Sequence, residues 1–211
     1  MTQAHGEPLG DAVELLERSL GYTRVMLADV RAGNLRHPTP CSGWTLGRLL
    51  EHMEDGLDAF TEAAAGRVEI APAPPTHTRV DALREKACAL LGAWTRARDS
   101  VVRVGDQDLE AALLVATAAL EITVHGWDVG QATGRGTPMP PELAQRLLPV
   151  ARAVVHPADR GTRFGAVLSA PGSASHGQRL LAYLGRSEAV DLTGPPGMTS
   201  VDPHSRPGLA S

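Results

Sequence analysis

The chain has 211 residues, which suits one domain with a short appendage, and 43% of them are hydrophobic, enough for a sizeable core. Its formal net charge of −4 argues against a general nucleic-acid binder or a protein of anionic membranes, since both need a basic surface. Two cysteines are too few for a disulfide framework. We find neither a cleavable signal peptide nor an apolar run long enough to span a bilayer, so a cytoplasmic location is expected.

Two amphipathic helices are predicted in the first third of the chain. The first begins near Asp11, where Glu14 completes a capping box, and apolar residues then recur at helical spacing as far as Val30. A loop that contains two prolines follows over residues 34–43. The second helix is predicted over residues 45–65, and its apolar stripe consists of Leu46, Leu49, Leu50, Met53, Leu57 and Phe60.

The middle of the chain predicts the rest of a four-helix bundle. Residues 70–77 are proline-rich and cannot be helical, so they are predicted to form a long connection that crosses the bundle. A third helix is expected over residues 80–104, and a fourth over residues 109–133, ending near Gly134. A shorter helix with proline in its first turn is expected over residues 141–155. Since strand signals are sparse, the predicted fold class is mainly α.

The C-terminal part departs from the helical pattern. Residues 164–169 are predicted to form a short strand and residues 175–184 a last helix. From Ser187 onward the chain is rich in Pro, Gly and Ser, and this tail is expected to be disordered. The predicted organisation is a metal-binding bundle over residues 1–156, a short extension packed on it over 157–186, and the tail over 187–211.

The fourth predicted helix carries three ionisable residues in an apolar setting. Glu121, His125 and Asp128 are spaced by four and then three positions, which places them on one helical face. A carboxylate in apolar surroundings needs a partner, and a metal ion is one candidate. His52 lies on the flank of the second helix's apolar stripe and is the best candidate for a third ligand. The alternative is an ordinary Glu–His pair at the surface.

Three stretches in this order resemble the DinB-like metal-binding proteins, in particular the branch that includes the mycothiol-dependent maleylpyruvate isomerases. They are TPCSGWT at residues 39–45 with LLEH at 49–52, EITVHGWD at 121–128, and FGAV at 164–167 with RLLAYLGR at 179–186. The resemblance covers about residues 10–186. It implies a four-helix bundle with a long crossover and a divalent metal held by His52, Glu121 and His125. Zinc is the metal expected first, with nickel or iron as alternatives.

The resemblance also implies a class of chemistry. Members of this branch use mycothiol as a thiol cofactor or substrate, and they transfer the thiol to an electrophilic carbon or isomerise an alkene through a transient adduct. The chain is therefore expected to act on a small-molecule substrate, with mycothiol as cofactor. The alternatives are a metalloenzyme that uses no thiol, such as a hydrolase or a cyclase-like biosynthetic catalyst, and a non-catalytic metal-binding protein. An apolar bundle of this kind can also form a homodimer.

Several residues near the predicted ligands receive roles of their own. Asp128 is predicted to be catalytic and to bind the cofactor, by orienting a ligand or by accepting hydrogen bonds from a sugar-bearing thiol; the alternative is a carboxylate paired with an arginine. Trp44 and Trp127 are predicted to line the cofactor pocket, with the bundle core as the alternative.

Cys41 is predicted to be structural, because no histidine near it in sequence completes a Cys–His pair, and Cys88 is predicted to belong to the core. Surface pairing is predicted for the arginines of the C-terminal segment, in preference to contact with an anionic substrate: Arg163, Arg179 and Arg186.

Overall fold

The computed structural model describes residues 7–65, 78–104, 107–161 and 163–187, and this part of the chain is mostly helical. The predicted mainly α fold is therefore confirmed. The elements are α1 (Glu7–Leu27), α2 (Leu46–Ala64), α3 (Arg79–Arg96), β1 (Val101–Val104), β2 (Gln107–Glu110), α4 (Ala111–Thr133), α5 (Pro141–Val154) and α6 (His176–Tyr183).

The first four helices form a bundle. The most extensive contact joins α1 to α4, and α2 packs against both α3 and α4, while α3 also contacts α1. This arrangement closes a ring of four helices around a core of leucine, alanine and other aliphatic side chains. The helix α5 packs on α4, and α6 packs on α5. Leu180 and Leu181 of α6 are buried in the same apolar cluster as the bundle.

Two glycines of α4 allow α1 to approach closely. A Cβ atom on Gly126 would lie 2.3 Å from Thr23 Oγ1, and one on Gly130 would lie 2.7 Å from Met26 Sδ. The Thr23 hydroxyl also donates a hydrogen bond of 2.8 Å to the carbonyl oxygen of Ile122. These contacts fix the position of α4 along α1, and with it the positions of the ionisable side chains on α4.

The helix ends follow the predicted signals in most places. Thr45 caps α2 by accepting a hydrogen bond from the backbone N–H of Arg48. Gly134 ends α4 with a left-handed φ of 76°. The helix α1 begins at Glu7, ahead of the predicted start at Asp11. The boundaries predicted for α2, α4, α5 and α6 agree with the structure to within a residue or two.

One predicted helix is too long, and one predicted strand does not form. The third helix ends at Arg96, because Val101–Val104 instead forms an antiparallel hairpin with Gln107–Glu110. β-Branched residues favour such extended backbone. The strand predicted over residues 164–169 does not form: apart from one isolated bridge between Arg160 and Phe164, this stretch is irregular. The predicted crossover over residues 70–77 and the tail after Ser187 lie outside the described residues.

The helix α4 is also long and apolar enough to cross a membrane. However, 72% of its most apolar stretch is buried inside the protein, as is usual for the central helix of a bundle. In this fold its apolar surface is therefore covered by the neighbouring helices.

Candidate metal centre

The imidazole of His125 lies between two carboxylates of its own helix. Its Nε2 atom is 3.2 Å from Glu121 Oε2, and its Nδ1 atom is 3.0 Å from Asp128 Oδ2. The spacing of four and three residues on α4 produces this arrangement, as the sequence predicted. His125 and Asp128 are buried, while Glu121 is partly buried.

His52 completes the group from the neighbouring helix α2. Its ring stands edge-on to that of His125, with the two centroids 5.0 Å apart. One ligand atom from each of His52, Glu121 and His125 lies within 4.8 Å of the other two. The structure thus brings together the three residues proposed as ligands, and we call this group the ligand trio.

The electrostatics of the ligand trio favour a cation. Burial opposes a charge on His125, but hydrogen bonds to Asp128, Cys41 and Glu121 outweigh it and hold the pKa of this imidazole well above its ordinary value. Burial would likewise raise the pKa of Glu121, yet the hydrogen bond to His125 leaves this pKa lower than usual. Burial, and then the positive charge of His125, lower the pKa of His52. Two imidazoles and a carboxylate at this separation are a donor set that suits zinc and related divalent metals.

A second polar cluster lies directly behind His125. The Arg186 guanidinium donates one hydrogen bond of 2.9 Å to each oxygen of Asp128. Burial would raise the pKa of Asp128, but the positive charge of Arg186 and the hydrogen bond from His125 hold it far below its usual value. The Cys41 thiol donates to Asp128 Oδ2 at 3.2 Å, and its Sγ atom is 3.8 Å from His125 Nδ1.

Cys41, His125 and Asp128 are also close enough together to ligate a metal. The guanidinium of Arg186 argues against that use, because it is paired with both oxygens of Asp128 and lies 3.4 Å from Cys41 Sγ. A cation at this position would meet an arginine charge at close range. The ligand trio is therefore the better candidate for a metal site.

Three residues behave differently from the sequence predictions. Arg186 does not pair at the surface: its side chain is 8% exposed and its partner is the fully buried Asp128. Cys41, which has no histidine near it in sequence to form a Cys–His pair, lies in the loop before α2 and has His125 of α4 beside it. Cys88 is exposed, so its assignment to the core is wrong. The alternative considered for Asp128, pairing with an arginine, is confirmed, whereas its catalytic and cofactor-binding roles stay predictions.

The other two arginines lie near the surface. Arg163 pairs with Asp159 at 3.7 Å through a largely exposed side chain, as predicted, and it also lines the cavities described next. Arg179 is exposed and donates to the carbonyl oxygen of Gly172.

Two cavities meet at the ligand trio, and both include His52, Glu121, His125 and Arg163 in their walls. The first has a volume of about 540 Å³ and lies among α1, α2, α3 and α4. We call it the apolar cavity, because its surface is mainly apolar; the large apolar side chains in its wall are Leu20, Leu27, Met53, Leu57, Phe60, Leu83, Leu91 and Ile122.

The second, the polar cavity, has a volume of about 560 Å³. It lies between the loop before α2 and the segment after α5, and its charged or polar wall residues outside the shared group are Cys41, Ser42, Arg48 and Arg186. Trp44 also lines it, with its ring 5.0 Å from that of His52. Trp127 is only 3% exposed and lines neither cavity, which supports the core alternative for that residue.

The sequence is similar to proteins of a known family. Residues 16–130 match the family model described as the mycothiol maleylpyruvate isomerase N-terminal domain. The chain is also 31% identical over 178 residues to uncharacterized proteins of two Mycobacterium tuberculosis strains, CDC 1551 and H37Rv. Each alignment covers 81% of this chain and 95% of the relative. No solved structure matches significantly. The family match spans just over half of the chain and contains the whole ligand trio, and so the chain belongs to the mycothiol maleylpyruvate isomerase family of DinB-like metal-binding proteins.

Proposed function

We propose that this protein is a metal-dependent enzyme that uses the thiolate of a mycothiol-type thiol for S-transfer to, or isomerisation of, a small electrophilic metabolite. The observation that carries the proposal is the position of the ligand trio at the junction of two cavities of different character. Such a junction lets two molecules reach one centre from separate spaces. A site for water and one substrate would need only one of them.

His52, Glu121 and His125 would hold the metal, and zinc is the ion that this donor set suits best. When bound there, a divalent cation stabilises a thiolate near neutral pH and polarises an adjacent carbonyl group. Three protein ligands leave room for exogenous ligands, as in catalytic zinc sites; structural sites are usually closed by four protein ligands.

The polar cavity suits the thiol. A sugar-bearing thiol carries many hydroxyl groups and amides, and Arg48, Arg163 and Ser42 supply hydrogen-bond donors in this space. The ring of Trp44 lies beside His52, and the Arg48 guanidinium lies over it, 5.8 Å from its centroid. Binding sites for sugars commonly combine polar hydrogen-bond donors with an aromatic surface. A thiol-dependent site also requires reduced thiols, so we propose a cytoplasmic location.

Asp128 and Arg186 would act through His125. In this role Asp128 accepts a hydrogen bond from Nδ1 of His125 and fixes the ring so that Nε2 faces Glu121, while Arg186 holds Asp128 in place. This makes Asp128 a positioning residue, which refines the catalytic role predicted for it.

The test begins with purification without chelator and elemental analysis of the wild type, His52→Ala and His125→Ala. We expect near-stoichiometric metal in the wild type and loss of it in both variants. The metal-loaded wild type is then incubated with mycothiol and a panel of electrophiles, and thiol consumption is followed. Turnover without any thiol would favour a hydrolase or cyclase-like enzyme instead. Absence of metal in the wild type after incubation with zinc, nickel or iron would overturn the proposal.

A further inference from the structure

We infer that the electrophilic substrate is an apolar molecule whose alkyl or aryl body occupies the apolar cavity, with its reactive group facing the ligand trio. This inference rests on the proposed function and adds the substrate's chemical class. It separates the substrate from the thiol, because each would occupy a different cavity beside the same centre.

The wall of the apolar cavity carries the first part of the argument. Leucine, isoleucine, methionine and phenylalanine side chains from four helices surround it, and Leu27, Leu57 and Leu83 among them are buried. A volume of about 540 Å³ lies within the usual range for small-molecule sites. Apolar surface in such a space is best covered by apolar ligand atoms.

The placement of the charges carries the second part. Besides the ligand trio and the shared Arg163, the charged residues in this wall are Glu17, Arg24 and Arg84, and all three are exposed. They therefore belong to the outer rim. The buried leucines deeper inside could not solvate a carboxylate, so a small dicarboxylate would lose hydration there without gaining partners.

The contrast with the polar cavity completes the argument. That cavity has arginines on α2 and in the C-terminal segment, together with Cys41 and Ser42, although its volume is nearly the same. A polar thiol and an apolar electrophile are thus each matched by one of the two spaces. The shared wall of His52, Glu121 and His125 would bring their reactive ends together.

Substitution of Gly56 can be used to fill part of the apolar cavity. It lies on α2 in the cavity wall, and a Cβ atom there would meet nothing within 4 Å. The Cβ of Gly56→Leu therefore has open space, and we expect the rest of the leucine side chain to reduce the cavity volume; the change also replaces a poor helix former by a good one. Gly10→Leu is the matched control, since Gly10 is exposed on α1, has equally open space and lines neither cavity. Ser42→Leu makes the corresponding change in the polar cavity.

The probes are n-alkyl hydroxamates from acetohydroxamate to octanohydroxamate, titrated calorimetrically into the zinc-loaded full-length protein. In the wild type and in Gly10→Leu we expect affinity to rise about threefold to fourfold per methylene, the gain for burying one such group. Gly56→Leu should bind acetohydroxamate as the wild type does but lose the gain with chain length. Ser42→Leu should keep that gain.

A flat series in the wild type, with normal acetohydroxamate binding, would overturn the inference and leave the proposed metal function intact. Loss of the gain in Ser42→Leu rather than in Gly56→Leu would place the alkyl chain of the probe in the polar cavity and would overturn the inference as well.

A parallel series needs no metal: n-alkyl alcohols from butanol to octanol are added to metal-free protein and the Tm is measured. We expect stabilisation that grows with chain length in the wild type but not in Gly56→Leu. No stabilisation in the wild type would contradict the inference independently of the metal.

Discussion

The guanidinium of Arg186 donates two hydrogen bonds of 2.9 Å to the carboxylate of Asp128, one to each oxygen. Both side chains are buried, and they come from segments 58 residues apart. Asp128 in turn accepts a hydrogen bond from Nδ1 of His125. A chain of three charged or polar groups therefore runs from the C-terminal segment to the ligand trio, and its members can be tested one by one.

Asp128→Asn should weaken metal binding about tenfold to a hundredfold, the usual effect of losing the partner of a ligating histidine. An amide cannot match the carboxylate charge facing His125 and Arg186, so the imidazole would lose its preferred orientation. Competition with a fluorescent zinc chelator measures the affinity. Asp108→Asn is the control, because Asp108 is an exposed partner of Arg103 and lines neither cavity. Equal zinc affinity in Asp128→Asn and the wild type would contradict the positioning role.

Arg186→Met should destabilise the fold more than Arg103→Met. Removing Arg186 leaves a fully buried carboxylate without its cation, and breaking a buried pair in this way costs about 3–5 kcal/mol. The pair of Arg103 and Asp108 is exposed and contributes at most about 1 kcal/mol. Urea denaturation of the two metal-free variants gives the comparison. Similar midpoints would mean that water or another group compensates Asp128.

Zinc affinity should rise with pH as far as the raised pKa of His125. Burial disfavours a proton on His125, but the hydrogen bonds to Asp128, Cys41 and Glu121 outweigh it and keep its pKa well above the ordinary value. A metal must displace that proton, so below the raised pKa the affinity increases about tenfold per pH unit for one proton released. Calorimetric titrations with zinc in buffers of different ionisation enthalpy give the number of protons that are released on binding. Asp128→Asn should show a weaker dependence, and a flat profile in the wild type would contradict the protonation state that the structure indicates.

Gly126→Ala should destabilise the protein by about 1–3 kcal/mol, the range for overpacking a tight contact. The added Cβ would lie 2.3 Å from Thr23 Oγ1 and push α1 away from α4. Gly21→Ala, on α1 with no atom within 4 Å of its new Cβ, should instead be neutral or stabilise by up to about 1 kcal/mol. Thermal unfolding of both variants distinguishes the two effects. An unchanged Tm in Gly126→Ala would show that the α1–α4 contact can relax.

The sequence predicted most of what local patterns encode. The periodicity of Leu46, Leu49, Leu50 and Met53 placed α2, and the spacing of Glu121 and His125 placed two ligand atoms on one face of α4. The choice of His52 came from its position on the flank of the α2 stripe and from the family resemblance. The family assignment and the mainly α fold are confirmed.

What failed depended on contacts between distant segments or on short apolar runs. Nothing near Arg186 in sequence marks Asp128 as its partner, and Cys41 meets His125 only after the loop before α2 folds against α4. Cys88 sits in a run of alanines and leucines that looks apolar on every side, so the sequence could not show which face stays exposed. The valine-rich stretch VVRV at residues 101–104 was too short to distinguish a helix end from a strand.

The family match ends at residue 130, so it contains the ligand trio and Asp128 but not Arg186. During synthesis, a chain released only as far as that boundary would possess every proposed metal ligand while its buried aspartate still lacked a counter-charge. The counter-charge comes only from the last part of the described chain, which carries Arg186. Shortening the protein to the recognised family segment would also remove α5 and α6, whose leucines belong to the core, so the substitution of Arg186 alone isolates what this arginine contributes to the centre.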